Sequence, residues 1–114
     1  MTPITQNALL APLEIWEVTL DHSTIKFHQP LILTQNWMSH DPDEPGEIEY
    51  LEVEEPSLAI SAFGENREEL FEVIHGDIRI AWKYIVQADP KKLSPQNKTV
   101  QDNYFAIAEE ITDE

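Results

Sequence analysis

Apolar and polar residues alternate through much of the first half of the chain, and this period of two predicts β-strands. The first alternating run extends from Leu13 to Asp21. A longer run, from Ile25 to Trp37, predicts either one long strand or a broken pair. Pro30 interrupts this run, and because proline has no backbone N–H we expect a sheet edge or a break there.

Two shorter strands are predicted next, at Glu47–Glu54 and Leu58–Phe63. Residues 39–47, which precede them, are rich in Asp, Pro and Glu, a composition typical of a loop. The apolar phase shifts between Tyr50 and Leu51. The third strand is therefore expected to contain a bulge or to carry apolar residues on both faces.

The period of the apolar residues then becomes that of a helix. Asn66 is a good N-cap, and Glu69 three residues later completes a pattern like a capping box. Gly76 lies in the middle of this helix and is expected to allow close approach of a strand. We expect the helix to end at Asp89 and Pro90. Its apolar face consists of Leu70, Ile74, Ile78, Ala81 and Ile85, flanked by Phe71, Val73, Trp82 and Tyr84.

A second helix is predicted near the end of the chain. Ser94 is suited to its N-cap and Pro95 to its first helical position. Apolar residues then recur at steps of four, three and four, which indicates a narrow amphipathic stripe. The stripe consists of Val100, Tyr104, Ile107 and Ile111. It could pack on this domain or form a seam with another subunit.

Together these elements predict a single acidic α+β domain over residues 1–114, with residues 1–12 as an irregular lead-in. We expect an antiparallel sheet of about four strands, a long helix on one face, and a second, C-terminal amphipathic helix. The predicted core consists of Trp16, Val18, Phe27, Leu31, Leu33, Leu58, Ile60, Leu70, Ile74, Ile78 and Trp82.

The charge balance narrows the possible partners. The 114 residues include 22 acidic and 7 basic residues, for a net charge of -15. This charge disfavours nucleic acid and anionic membranes, which both attract Lys and Arg, and it favours association with a basic protein. Neither a basic leader nor a membrane-length apolar run is evident, so we expect a cytoplasmic protein.

No motif for catalysis is apparent. The chain has no cysteine, no GxSxG sequence and only three glycines, so thiolate chemistry, a nucleophile elbow and a phosphate-binding loop find no support. The four histidines form no HExxH motif and no pair four residues apart. We therefore expect a protein that is not an enzyme and that binds no cofactor.

Part of the acidic stretch from Asp41 to Glu55 resembles a calcium loop. Asp41, Asp43 and Glu52 stand at positions that supply oxygen ligands in an EF-hand. Pro45, however, occupies a position where a side-chain oxygen is needed, and no helix is predicted on either side of the loop. We therefore favour a solvated hairpin loop without a metal.

The segment from residue 56 to residue 70 resembles the strand–turn–helix junction of HicB-like antitoxins. That junction has a Pro-x-Leu segment, a glycine, a capping residue, a pair of glutamates and an apolar residue. The corresponding residues here are Pro56, Leu58, Gly64, Asn66, Glu68, Glu69 and Leu70. The resemblance implies a protein-binding role of the antitoxin type.

The function that we favour at this stage is a non-enzymatic protein-binding module, antitoxin-like or immunity-like, whose acidic surface binds a basic partner. The predicted contact residues are Glu47, Glu49, Glu52, Glu54 and Glu55, with Trp37 beside them. The alternative is a structural or assembly subunit that forms a homodimer through the C-terminal helix. A third possibility is a small-molecule or calcium-responsive domain that uses the acidic loop at residues 41–55.

Overall fold

The computed structural model describes residues 11–39 and 49–112. Their strands are β1 (Leu13–Thr19), β2 (Ser23–Leu33), β3 (Asn36–Ser39), β4 (Glu49–Glu55), β5 (Ile60–Gly64) and β6 (Ala108–Thr112). They form two antiparallel sheets of three strands each, with orders β1–β2–β6 and β3–β4–β5. The α+β class is thus confirmed, but the single sheet of about four strands is wrong.

Two α-helices follow the fifth strand along the chain. They are α1 (Arg67–Ala81), which continues into a π-helical turn at Trp82–Val86, and α2 (Pro95–Ile107). Short 3-10 turns lie at Pro56–Leu58 and Pro90–Lys92. Both predicted N-caps are present: the side chain of Asn66 accepts a hydrogen bond from the N–H of Glu69, and that of Ser94 accepts one from Asn97.

The predicted long strand is divided between the two sheets. It leaves the first sheet after Leu33 and enters the second at Asn36. The break therefore falls after Pro30, which is accommodated inside β2. The register explains this, because Ile15 pairs with Leu31 whereas Glu17 pairs with Lys26. Residues 27–30 consequently lie opposite a single residue of β1, in an irregular segment that tolerates proline.

The same irregularity turns Trp16 away from the core. Ile15 and Val18 are buried on the inner face, and Trp16 between them is 59% exposed. The core position predicted for Trp16 is therefore wrong, and Leu31 is only partly buried. A register shift can invert which side of a strand faces inward, and nothing in the alternation itself reveals it. The other predicted core residues are all buried.

Helix α1 packs on the second sheet through an apolar face that includes Leu70, Ile74 and Ile78, all fully buried. The close approach occurs at Gly64, where an added Cβ would lie 2.6 Å from the backbone nitrogen of Leu70. No atom lies within 4 Å of a Cβ added at Gly76. The predicted close approach at Gly76 is therefore wrong.

The C-terminal helix is shorter than predicted. It ends at Ile107, and Ala108–Thr112 form β6, which pairs with the first half of β2. Hydrogen bonds to β2 satisfy the backbone groups of this segment and outweigh its helical periodicity.

The predicted seam therefore does not form one exposed helical stripe. Val100 and Tyr104 are buried in the core of their own chain, Ile107 packs against it, and Ile111 lies on a strand. Tyr104 is held there by a 2.6 Å hydrogen bond from its hydroxyl to the carbonyl oxygen of Leu58. The helix thus packs in cis, with Val100 and Tyr104 inside the core of their own chain.

None of the helices in the described ranges is both long and apolar enough to cross a bilayer.

Candidate functional site

The two faces of the β3–β4–β5 sheet differ sharply in composition. The face toward α1 is apolar, with Leu51, Val53, Ile60 and Ala62 all buried. The opposite face, here called the open face, carries polar and aromatic side chains. It consists of Asn36 and Met38 from β3, Tyr50, Glu52 and Glu54 from β4, and Ser61 and Phe63 from β5.

Strand register places acids at the centre of the open face. Glu52 lies between Asn36 on one neighbouring strand and Phe63 on the other. Glu54 lies opposite Ser61, whose hydroxyl donates a 3.0 Å hydrogen bond to it. The cross-strand neighbours of both glutamates are thus neutral.

Aromatic side chains lie beside these acids. The rings of Tyr50 and Phe63 form an edge-to-face pair with centroids 5.6 Å apart. Phe63 is 49% exposed and Met38 37% exposed. Large apolar side chains next to charged ones are typical of surfaces that bind other proteins.

The sequence around the open face contains no positive charge of its own. No Lys or Arg occurs between Lys26 and Arg67. The guanidinium of Arg67 is directed to the start of β1, where it donates to the carbonyl oxygens of Ala11 and Pro12 at 2.5 and 3.2 Å. The negative charge of the open face is therefore not balanced from within the adjacent segments.

Only some of the predicted contact residues lie on the open face. Glu52 and Glu54 do so. Glu55 accepts a hydrogen bond from the hydroxyl of Ser57 and lies opposite the buried Ile60, on the other side of the strand. Trp37 lies opposite Leu51 on the other face of the sheet and is partly buried against the core.

Glu47 and Glu49 are the remaining predicted contact residues. Glu47 lies outside the described residues, and Glu49 begins β4 opposite Ser39. Met38, Tyr50 and Phe63 were not among the predicted contact residues. For Tyr50 the signal was the odd-numbered apolar phase of β4, since Leu51 and Val53 mark the buried face of that strand and leave its even positions outward.

Only part of the predicted calcium loop lies among the described residues. Asp41 and Asp43 lie outside the described residues, while Glu52 lies inside a regular strand rather than at the start of a helix. This position does not suit the last ligand of an EF-hand. Within the part of the chain that the structure describes, no three His, Asp or Glu side chains are grouped so as to hold a metal ion.

A second polar cluster lies where β6 meets the end of α1. The carboxylate of Glu110 accepts hydrogen bonds from Trp82 Nε1 at 2.6 Å, Ser23 Oγ at 2.7 Å and Gln87 Nε2 at 3.0 Å. These bonds, that from Trp82 above all, lower the pKa of Glu110. The four residues of this cluster line a cleft of about 640 Å³, together with Arg79 and Lys83.

This second cluster is satisfied from within the chain. Each of its donors is directed at Glu110, and Ser23 and Trp82 are themselves buried. The arrangement fastens the last strand to the helix. It therefore fits a role in the fold better than a role in binding.

The structure also shows the physical basis of the junction at residues 56–70. Gly64 allows the end of β5 to contact Leu70, and Asn66 caps the helix that begins directly afterwards. Comparison of the chain with models of protein families, with curated proteins and with solved structures finds no match.

Proposed function

We propose that this protein is a binding module, antitoxin-like or immunity-like, that recognises a basic partner protein through its open face. The observation that carries the proposal is the combination of acidic and aromatic side chains on one sheet face, where Glu54 and Phe63 are exposed and Glu52 and Tyr50 are half-buried. The HicB-like pattern at residues 56–70 supports the antitoxin type.

The two kinds of side chain make different contributions. Glu52 and Glu54, within a chain of net charge -15, attract a basic surface and accelerate its association. Tyr50, Phe63 and Met38 supply apolar area that leaves water on contact, which gives affinity. A basic nuclease is one partner that fits, because a carboxylate surface can occupy a cleft built for phosphates.

The proposal is tested by charge reversal on the open face. A partner captured at low salt and lost at high salt is first identified and purified. The double variant Glu52→Lys/Glu54→Lys is then compared with Glu72→Lys/Asp102→Lys, which changes net charge equally on exposed helical positions. We expect the open-face variant to slow association about tenfold or more, since steering depends on charge at the contact.

The control variant is expected to slow association much less. Equal slowing by both variants would mean that the partner senses only the net charge. Unchanged binding by the open-face variant would show that the partner contacts another surface. Circular dichroism and thermal unfolding of both variants establish that they are folded.

A further inference from the structure

A small cavity adjoins the open face where β5 turns into α1. Its volume is about 380 Å³, and it is lined by Tyr50, Phe63, Gly64, Glu65 and Glu69. Two of its walls are aromatic rings and two are carboxylates, so the cavity combines apolar surface with negative charge.

The aromatic walls are suited to a cation. Phe63 and Tyr50 meet edge to face at an interplanar angle of 66°, so their ring faces point in different directions. A guanidinium over a ring face is attracted by the π-electron density and buries its apolar stem against the same ring. The 49% exposure of Phe63 leaves its ring accessible from solvent.

Glu65 and Glu69, which supply the carboxylates, lie at the N-terminal end of α1. One oxygen of Glu69 accepts a hydrogen bond from the backbone N–H of Glu65 at 3.4 Å. A carboxylate has about four acceptor sites, so this bond leaves capacity for a ligand. The positive end of the helix dipole is equivalent to about half a charge, which Glu65, Glu68 and Glu69 together exceed.

We propose that this cavity is the anchor pocket for an arginine side chain of the basic partner, an inference that rests on the proposed function. Arginine fits better than lysine because its planar guanidinium can lie on a ring and bind a carboxylate through two N–H groups at once. The pocket is continuous with the open face through Tyr50 and Phe63. One inserted arginine would therefore fix the register of the surrounding acidic contacts.

The test uses a short glycine-flanked arginine peptide, blocked at both ends, as the probe. Its binding to the full chain is followed by two-dimensional amide NMR. Peptides in which lysine or the uncharged isostere citrulline replaces arginine are the ligand controls. We expect the arginine peptide to shift the signals of Gly64, Glu65 and Glu69, the lysine peptide to shift them less, and the citrulline peptide to leave them unchanged.

Two variants locate the contact. Phe63→Ala removes the ring and is expected to weaken peptide binding about fivefold. Glu69→Gln removes the charge but keeps an acceptor for the Glu65 N–H, and we expect a similar loss. Phe105→Ala is the matched control, because Phe105 is 57% exposed on α2 and does not line the pocket. It is expected to leave binding unchanged.

The outcomes separate this inference from the proposed function. If the partner protein binds the open face but the arginine peptide does not shift the pocket signals, or does so equally in Phe63→Ala, the anchor pocket is refuted and the proposed function stands. If arginine and citrulline peptides bind alike, the cavity takes apolar chain rather than a cation. If the partner binds the Glu52→Lys/Glu54→Lys variant as fast and as tightly as the wild type, the proposed function itself is refuted.

Discussion

The inner faces of the two three-stranded sheets differ in their polar side chains. In β1–β2–β6 the inner face includes Ser23 and Glu110, and the carboxylate of Glu110 accepts hydrogen bonds from Ser23, Trp82 and Gln87. In β3–β4–β5 the inner face is apolar throughout β5, and the polar residues lie on the open face. The inner face of the first sheet therefore holds polar groups that are paired within the chain, whereas the inner face of the second sheet is apolar in β5.

This difference helps to separate residues that serve the fold from residues that can serve a partner. A buried donor without an acceptor is costly, so the polar groups of the first sheet must be paired in the native state. Glu52 and Glu54 lie among neutral neighbours, and the packing of α1 does not depend on them. Acids that the fold does not require are the better candidates for function.

The largest effect is expected where the second sheet contacts α1 through backbone. In Gly64→Ala the new Cβ would lie 2.6 and 2.8 Å from backbone atoms of Leu70. Because backbone cannot rotate away, we expect the free energy of unfolding to fall by about 3 kcal/mol. Chemical denaturation measures the change.

Gly76→Ala is the matched control for that variant, since its Cβ meets open space in the middle of the helix. Alanine is the better helix former, and stability should rise by about 1 kcal/mol. If Gly64→Ala were tolerated as well as Gly76→Ala, the contact between β5 and α1 would be less close than described here.

The next effect tests the claim that polar groups beside the first sheet serve the fold. The buried amide Nε2 of Gln101 donates to the carbonyl oxygens of Ile85, Val86 and Ala88 at 3.0–3.1 Å. In Gln101→Leu the end of the long helix loses this donor, and we expect a loss of about 2 kcal/mol in unfolding free energy.

Gln96→Leu, at an exposed position of the same helix, is the comparison for Gln101→Leu. It is expected to change stability only slightly. Equal effects of the two substitutions in thermal unfolding would show that the buried amide contributes nothing specific.

The smallest of the stability effects concerns Glu110 and depends on pH. Hydrogen bonds from Trp82, Ser23 and Gln87 lower its pKa from the ordinary value of 4.5. The carboxylate therefore stabilises the fold above that value, and this contribution disappears as the pH falls through the lower pKa of the folded state. In Glu110→Gln we expect a loss of about 1 kcal/mol at neutral pH.

The difference between wild type and Glu110→Gln should narrow steadily in acid, which urea unfolding over a series of pH values can follow. Glu109→Gln, at the adjacent exposed position, is the control. A difference that persists unchanged below the pKa of Glu110 would indicate a loss of packing rather than of charge. That outcome would contradict an electrostatic role for Glu110 in stabilising the fold.

Much of the local structure could be predicted from the sequence. Asn66 and Ser94 cap the predicted helices, and the apolar positions of α1 are buried as their spacing indicated. The open face was partly predicted, through Glu52 and Glu54. Its aromatic residues were not, because only the register between β4 and β5 places Tyr50 and Phe63 together on one face.

The sequence by itself determined the class of fold, the helix starts and the large negative charge, because caps, periodicity and titratable groups act over a few residues. Only the tertiary structure decided the division into two sheets, the exposure of Trp16 and the conversion of Ala108–Thr112 into a strand. Those features depend on strand register and on hydrogen bonds between segments far apart in the chain. Some local patterns are equally compatible with a helix or a strand, or with either face of a sheet. Pairing with segments far away in the sequence then decides which structure forms.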